Sequence, residues 1–322
     1  MNGLLKEIAK IGIVPVITLD NINHAVPLAK ALEIGGINCA EITFRTKAAK
    51  ESIKAISQEL PQMLVGAGTV LTIQQVDEAI YAGAKFIVSP GLNPKIVKYC
   101  IEKNITIIPG CSTASDIEVA LELGLDTVKF FPAENIGGIN MLKSLSAPYP
   151  NINFMPTGGI NLKNISSYLN FKKVIACGGS WLTSKELIIK EDFVNITKLS
   201  KEVISAILDF ELVHTCINSK DESQVNETAD LFANIFGFTK REASSSVFAS
   251  ERLEIMKPPC HGTNGHLAIA TNSVERAVYH LTKIGIGFNH KTAKYDANNN
   301  LKFIYLENEI NGFAVHLLQK NN

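Results

Sequence analysis

One lysine and one glutamate lie inside apolar stretches of the sequence, and their side chains could do chemistry together. Lys129 lies within TVKFFP, and Glu41 lies within CAEITF. Burying an ammonium group is costly, and this cost favours the neutral amine, which is a nucleophile toward carbonyl carbon. A carboxylate beside such an amine can transfer protons. The pair predicts Schiff-base chemistry on a carbonyl compound. The alternative is a structural Glu41–Lys129 ion pair, although a buried pair is weak evidence for stability.

Other polar and glycine-rich positions follow apolar stretches. The two-residue period of a strand places Arg45 on the same side as Glu41 and nearer the strand's end, where a guanidinium could clamp a carboxylate. The pairs Gly158–Gly159 and Gly178–Gly179 follow two later stretches, and backbone N–H groups beside glycine can approach an oxyanion closely. Ser112–Thr113 follows a fifth stretch and could equally serve as a helix cap.

The stretches themselves predict the elements that must position these residues. They are nearly continuous in Val, Ile and Phe, as parallel strands buried on both faces should be, and amphipathic helical patterns separate them. The predicted strands are Ile13–Leu19, Cys39–Phe44, Met63–Ala67, Phe86–Ser89, Thr106–Pro109, Thr127–Phe131, Ile152–Pro156 and Val174–Cys177. Eight such units predict an α/β fold, a (β/α)8 TIM barrel. A doubly wound open sheet is the competing architecture, which the lack of a dinucleotide-binding glycine motif disfavours.

The rhythm of the sequence changes after a predicted terminal helix, Asp192–Leu208. Two consecutive βαβββ patterns follow, the first over residues 212–256 and the second over residues 266–317. Such an internal duplication predicts a smaller α+β domain of paired units. We therefore expect two domains, residues 1–209 and residues 210–322.

Composition and cysteine spacing indicate which kinds of partner and which cellular compartment to expect. The chain has 322 residues with 31 Lys+Arg and 31 Asp+Glu, so the formal net charge is zero, and we expect neither nucleic acid nor an anionic membrane as the main partner. No stretch reads as a signal peptide or membrane span. The cysteines show no CxxC spacing, which predicts neither a disulfide framework nor a zinc finger and fits a reducing cytoplasm.

Five collinear motifs within residues 1–205 identify a resemblance. They are AEITFRT (40–46), GAGTV (66–70), KFFPAE (129–134), PTGGI (156–160) and GGSWL (178–182). Together they resemble the 2-keto-3-deoxy-6-phosphogluconate (KDPG) aldolase family, whose members often also cleave 4-hydroxy-2-oxoglutarate. The resemblance implies a class I aldolase on a (β/α)8 barrel, usually a homotrimer, which acts on a small 2-keto acid without a cofactor. Its products would be pyruvate and either glyceraldehyde 3-phosphate or glyoxylate.

The resemblance also implies roles for individual residues. Lys129 would form the Schiff base and Glu41 would act as general acid and base. The remaining implied roles are substrate binding: Arg45, Thr69 and the backbone near Pro90 for the pyruvyl carboxylate, Phe131 near the imine, Gly158, Gly159, Gly179 and Ser180 for the phosphate, and Thr157 for the choice between KDPG and its galactonate epimer. Ala114 stands where relatives more usually have proline, which could move that loop.

The duplicated C-terminal pattern resembles the glyoxalase/vicinal-oxygen-chelate superfamily, in which a cupped sheet often holds a divalent metal. Comparable positions here are His214, Glu254, His266 and His316, which would suit Zn²⁺, Ni²⁺, Mn²⁺ or Fe²⁺. The last position is more often glutamate in metal-binding relatives. Three hypotheses stay open: an aldolase with an accessory domain, a bifunctional enzyme whose second domain adds metal-dependent chemistry or ligand-binding regulation, and a non-catalytic sugar-acid binder.

Overall fold

The apolar stretches of the N-terminal half form parallel strands separated by helices in the computed structural model, which describes residues 1–320. The strands are β1 (Ile13–Ile17), β2 (Cys39–Thr43), β3 (Leu64–Gly68), β4 (Phe86–Val88), β5 (Thr106–Ile108), β6 (Gly110–Cys111), β7 (Thr127–Phe130), β8 (Asn153–Pro156) and β9 (Cys177–Gly179). The last strand lies further along the chain than Val174–Cys177, the range that its apolar residues predict. Val174 instead forms an isolated bridge with Phe154.

A helix follows every strand of this half except β5, and one further helix precedes β1. The helices are α1 (Gly3–Ile11), α2 (Ala25–Ile34), α3 (Ala49–Glu59), α4 (Ile73–Tyr81), α5 (Pro94–Glu102), α6 (Ala114–Glu122), α7 (Gly138–Ser146), α8 (Ile165–Leu169), α9 (Lys185–Ile189) and α10 (Phe193–Leu208). Thr113 caps α6: its hydroxyl accepts from the Asp116 N–H at 3.2 Å, and the Asp116 carboxylate accepts from the Thr113 N–H at 2.9 Å. This reciprocal capping box gives Thr113 a local structural role.

The parallel strands pair in two continuous series. One series has the order β5-β4-β3-β2-β1-β9, and the other has the order β6-β7-β8. Isolated parallel bridges at Phe154–Val174 and Thr157–Gly178 connect β8 to the chain segment of β9. Only Pro109 separates β5 from β6, and the Gly110 N–H donates to the Ser89 carbonyl at 3.0 Å. This half is therefore a mixed α/β fold built on a parallel sheet.

The C-terminal half forms a mixed sheet of its own. Its elements are β10 (Glu211–Asn218), α11 (Glu222–Phe236), β11 (Arg241–Glu242), β12 (Ser246–Ser250), β13 (Leu253–Met256), β14 (Gly265–Thr271), α12 (Val274–Lys283), β15 (Phe288–Tyr295), β16 (Leu301–Leu306) and β17 (Phe313–Gln319). The strand order is β11-β12-β13-β10-β14-β17-β16-β15, with β10–β13 and β14–β17 parallel and the other neighbours antiparallel.

The two faces of this second sheet differ in chemistry. Buried side chains of α11 pack on one face in a cluster formed by Val225, Ala229, Val247, Ala249 and Ile255. Because side chains alternate along a strand, the neighbours of those strand residues point to the opposite face. That opposite face carries the charged and imidazole side chains described below.

The contacts of the chain divide it after Ile207 into two units, Met1–Ile207 and the part from Leu208 onward. Each unit has its own buried core. Within residues 1–320, no helix combines the length and the apolar character needed to cross a membrane.

Candidate active site

Lys129 and Glu41 lie in the interior of the N-terminal unit, within reach of each other. Lys129 Nζ is 3.7 Å from Glu41 Oε1, and the two residues are 5% and 0% exposed. Lys129 lies on β7 and Glu41 on β2, so the tertiary fold brings them together from distant parts of the sequence. Neither carboxylate oxygen of Glu41 accepts a hydrogen bond from the residues that the structure describes. A buried carboxylate with unused acceptors beside an amine is equipped to exchange protons with a bound molecule.

The neighbouring backbone leaves room for this carboxylate. A Cβ atom placed on Gly68 would lie 2.1 Å from Glu41 Oε1, well inside contact distance. β2 and β3 pair in parallel, with Thr43 opposite Gly68. Glycine is therefore required at position 68, because the Glu41 side chain on the neighbouring strand occupies the space of a Cβ atom. The Phe131 ring also lies beside the amine, with its centroid 5.0 Å from Lys129 Nζ. Phe131 thus supplies an apolar wall beside the nitrogen.

Three residues predicted to hold a carboxylate follow β2, β3 and β4. Thr69 has a φ of +55°, a left-handed conformation that a β-branched residue rarely adopts, and such strain is concentrated at functional sites. The Pro90 carbonyl oxygen would lie 2.1 Å from a Cβ on Gly110, so glycine is needed there. Arg45 lies in the turn after β2 with an exposed side chain, in the wall of a surface cavity that Phe44 also lines.

The glycine-rich segments after β8 and β9 lie side by side. Thr157 is buried and bridges to Gly178, and a Cβ on Gly178 would lie 2.2 Å from the threonine hydroxyl oxygen. Gly158 and Gly159 have φ values of +99° and +80°, which favour glycine. The structure thus brings the two predicted phosphate-binding segments together.

The second of these segments contacts an aromatic ring. A Cβ atom on Gly179 would lie 1.9 Å from the ring of Trp181, the single tryptophan of the chain. Glycine is therefore needed at 179 to accommodate the indole. Ser180, between them, is exposed.

The four C-terminal residues predicted as metal ligands also converge. Glu254 Oε2 lies 3.1 Å from His214 Nε2 and 3.1 Å from His266 Nε2, and the two imidazole nitrogens are 3.3 Å apart. Donor atoms of His214, His266 and His316 lie within 4.8 Å of one another. His266, His316 and Glu254 are buried. The strands β10, β13, β14 and β17 each contribute one residue to this cluster.

Electrostatics in this cluster favour an ionised Glu254 and a neutral His316. Burial raises the pKa of Glu254, but hydrogen bonds from His214, His266 and Ser246 outweigh it and hold the pKa well below its usual range. Burial, together with His266 and His214, lowers the pKa of His316 to about 3. A neutral imidazole and an ionised carboxylate are the forms that bind metal ions.

Additional groups surround the cluster. The Ser246 hydroxyl donates to Glu254 Oε1 at 2.5 Å, which orients the carboxylate. The rings of Phe248, Phe303 and Tyr305 pack against the histidines, with centroid distances between 4.5 and 6.2 Å. Cys216 lies next to Glu254 and His266, with donor atoms within 4.8 Å of one another. The cluster is therefore a polar centre within aromatic walls.

Comparison with known proteins shows which family the chain belongs to. A family model described as KDPG and KHG aldolase matches residues 5–199. The chain belongs to this aldolase family. The assignment drawn from the five sequence motifs is therefore confirmed, and the matched range lies within the first unit.

Relatives and solved structures of KDPG aldolases resemble the same part of the chain. A 2-dehydro-3-deoxy-phosphogluconate aldolase of Treponema pallidum is 47% identical over 207 residues, which is 64% of this chain and 99% of the relative. The Legionella pneumophila KDPG aldolase, solved with pyruvate captured as a covalent carbinolamine intermediate, is 38% identical with a TM-score of 0.60, covering 62% of this chain and 97% of that one. The Zymomonas mobilis ZM4 aldolase, solved with 3-phosphoglycerate, is 40% identical with a TM-score of 0.59, covering 62% and 94%.

Two contacts at this candidate site could not be predicted from the sequence. Gly68 appears in the GAGTV motif, but the motif alone does not say that its missing side chain accommodates Glu41. Glu134 closes the KFFPAE motif, and the buried hydroxyl of Tyr168 donates to its carboxylate. The second contact joins residues far apart in sequence, and no local pattern announces it.

Proposed function

We propose that the chain is a class I aldolase that cleaves KDPG to pyruvate and glyceraldehyde 3-phosphate. We propose that it also cleaves 4-hydroxy-2-oxoglutarate to pyruvate and glyoxylate. The observation that carries the proposal is the buried approach of Lys129 Nζ to Glu41 Oε1, 3.7 Å apart. The similarity to 2-dehydro-3-deoxy-phosphogluconate aldolases supports the substrate, and the covalent pyruvate adduct of the Legionella aldolase supports the chemical class.

The proposed mechanism uses the lysine as nucleophile and the glutamate as proton carrier. The neutral amine of Lys129 adds to the C2 ketone to give a carbinolamine, and Glu41 donates the proton with which the C2 oxygen leaves as water. The resulting protonated imine withdraws electrons. Glu41, now a carboxylate, removes the proton of the C4 hydroxyl, the C3–C4 bond breaks, and its electron pair forms the enamine of pyruvate.

The second half of the cycle releases pyruvate. The aldehyde product leaves, and Glu41 or a water that it orients returns a proton to C3, which converts the enamine back to an imine. Addition of water to C2 then frees pyruvate and Lys129. Because the protonated imine accepts the electron pair, this mechanism needs no metal or other cofactor.

The remaining site residues are proposed to bind substrate. Arg45, Thr69 and the backbone at Pro90 would hold the pyruvyl carboxylate, and the exposed guanidinium of Arg45 would have to turn inward to do so. Phe131 would shield the imine from water, which strengthens electrostatic interactions in the site. The phosphate would bind at the backbone of Gly158, Gly159 and Gly179 and at Ser180, and Thr157 would choose between sugar epimers.

We propose a closed (β/α)8 barrel for residues 1–209, in which β5 and β6 count as one strand interrupted at Pro109. Parallel pairing on both sides and the bridges between β8 and the β9 segment support this architecture. For residues 210–322 we propose a glyoxalase-like domain, supported by the repeated order of one strand, one helix and three strands. A homotrimer and a cytoplasmic location are proposed from the family resemblance and the cysteine pattern.

Steady-state kinetics test the activity. The full chain should release pyruvate from KDPG and from 4-hydroxy-2-oxoglutarate, measured through a coupled dehydrogenase. The isosteric variant Glu41→Gln should lower kcat by about 10²–10⁴-fold, the usual contribution of a general acid–base group. An active Glu41→Gln variant with unchanged kcat, or a wild-type chain that cleaves neither compound, would overturn the proposal.

A second candidate function concerns the C-terminal cluster, which we propose binds a divalent metal through His214, Glu254, His266 and His316. The triangle of Glu254 Oε2 and the two imidazole nitrogens has edges of 3.1, 3.1 and 3.3 Å. Ligands about 2.0 Å from a tetrahedral Zn²⁺ lie about 3.3 Å apart, so these three donors fit such an ion, and His316 lies within 4.8 Å of the two other histidines as the fourth proposed ligand. Bound there, the metal would act as a Lewis acid toward a carbonyl or hydroxyl oxygen of a ligand.

Metal analysis tests this second candidate. The purified full chain should bind one Zn²⁺ or Co²⁺, and His266→Ala should lose it, whereas the exposed His290→Ala should retain it. Aldolase activity should survive removal of the metal by a chelator. Equal metal content in both variants would refute the assignment of these ligands, and loss of aldolase activity with the metal would refute the separation of the two sites.

A further inference from the structure

A buried tyrosine donates a hydrogen bond to a carboxylate next to the proposed phosphate-binding loop at Gly158–Gly159. Tyr168 lies on α8 and is 0% exposed. Its hydroxyl donates a hydrogen bond to Glu134 Oε1. Burial and the adjacent carboxylate both raise the pKa of Tyr168, so the hydroxyl keeps its proton and acts as the donor. The two residues therefore form a charge-assisted hydrogen bond from a buried donor to the carboxylate of an exposed residue.

Glu134 also lies against the loop itself. Its backbone N–H donates to the Gly158 carbonyl at 3.0 Å, next to the Ala133 N–H, which donates to the Thr157 carbonyl at 2.8 Å. A Cβ atom on Gly159 would lie 2.6 Å from both Cβ and Cγ of Glu134. The loop after β8 is thus fixed to the segment after β7 through Glu134.

The orientation of the glutamate side chain has an electrostatic consequence. The atoms of Glu134 nearest to Gly159 are the carbons of its stem, whereas Oε1 lies at the Tyr168 hydroxyl and 3.1 Å from a Cβ placed on Gly138. The apolar stem therefore faces the loop, and at least one carboxylate oxygen is turned toward α8. A carboxylate free to rotate toward the loop would repel a bound phosphate dianion.

We propose that Tyr168 is a positioning residue for phosphate recognition: its hydroxyl holds the Glu134 carboxylate turned away from the Gly158–Gly159 loop. This inference rests on the proposed aldolase function and on phosphate binding at that loop. Tyr168, a buried aromatic residue outside the reacting centre, would thus contribute to the preference for phosphorylated sugar acids.

The test compares KDPG with the same sugar acid lacking the phosphate. Tyr168→Phe should raise KM for KDPG about tenfold, because the released Glu134 carboxylate would turn toward the loop and repel the phosphate, and leave kcat unchanged. The kinetic constants for the unphosphorylated compound should not change. Tyr149→Phe is the matched control, because the Tyr149 hydroxyl also donates to a glutamate, Glu118, at 3.1 Å, but lies before β8, at the opposite end of the strand from the loop.

A rescue experiment separates charge from packing. In the Tyr168→Phe background, Glu134→Gln removes the negative charge and should restore KM for KDPG to within about twofold of the wild-type value. Fluorescence of Trp181, which packs on Gly179, should report the same order of affinities when the proteins are titrated with inorganic phosphate.

Each outcome decides. Equal KM increases for both compounds, or a double variant as impaired as Tyr168→Phe, would overturn the positioning role and leave a general packing role. A wild-type chain that cleaves neither compound would instead refute the proposed aldolase function. Thermal denaturation identifies any variant that fails to fold. If Tyr168→Phe alone does not fold, the KM of the double variant for KDPG decides between the positioning role and the packing role.

Discussion

Gly68→Ala should disable the general acid–base without touching the lysine. A Cβ at this position would lie 2.1 Å from Glu41 Oε1, and 2.6 and 2.7 Å from Glu41 Cγ and Cδ. Non-bonded carbon and oxygen atoms need roughly 3.2 Å or more, so the carboxylate must move by about 1 Å. A displacement of that size at a reacting group costs about 10²-fold in rate. The φ of Gly68 is not in the left-handed region, so the backbone itself accepts alanine.

The assay for Gly68→Ala is kcat/KM for KDPG cleavage, with imine formation followed separately. We expect kcat/KM to fall about 10²-fold, while borohydride with pyruvate still modifies Lys129. Gly66→Ala is the matched control: it lies two residues earlier on β3, and its Cβ would lie 2.3 Å from the Phe86 ring instead of from Glu41. That control should lower the free energy of unfolding and leave the chemistry intact. Wild-type activity in Gly68→Ala, or an equal loss of activity in folded Gly66→Ala, would show that the space at Gly68 is not what positions Glu41.

Two further predictions address strain and capping. Thr69 has a φ of +55°, and a left-handed conformation costs an L-residue about 1–2 kcal/mol. Thr69→Gly should therefore change the free energy of unfolding little or raise it, and it should raise KM if the hydroxyl binds the carboxylate. A large loss of stability in urea unfolding would contradict this. Although burial raises the pKa of Asp116, hydrogen bonds from the backbone and hydroxyls of Ser112 and Thr113 lower it overall. A carboxyl whose pKa is lower in the folded state stabilises the fold above its unfolded pKa and loses this contribution as the pH falls through the folded pKa. Asp116→Asn should therefore cost about 1 kcal/mol at pH 7 and less than that near pH 2, measured by urea unfolding at both pH values; an equal cost at both would show that the charge is irrelevant.

Local patterns in the sequence predicted the elements that position the aldolase site. Glu41 and Lys129 stand out because a charged residue inside a stretch of buried apolar residues is costly and needs a reason. Continuous burial along β2 and β7 agrees with the parallel strands predicted from these stretches. The shift of β9 to Cys177–Gly179 was not predictable, because glycines carry no apolar side chain that would mark them as strand residues.

Features that depend on contacts between distant segments could not be predicted. The space that Gly68 leaves for Glu41 depends on the register of β2 against β3, and the Tyr168–Glu134 hydrogen bond joins α8 to the segment after β7. Neither distance follows from the spacing of residues in one segment. The four C-terminal residues of the metal-ligand cluster were predicted from their positions on the strands of the repeated pattern. Its convergence depends on β10 lying between β13 and β14, which strand propensities do not specify.

Reductive trapping of the imine tests directly whether Lys129 is the nucleophile. Full-length protein incubated with pyruvate and borohydride should gain a single adduct of about 72 Da, the mass of a reduced pyruvyl imine, and peptide mapping should locate it at Lys129. Lys129→Arg should gain none. An adduct on another lysine, or no adduct on an active protein, would contradict the claim that this buried amine is the nucleophile.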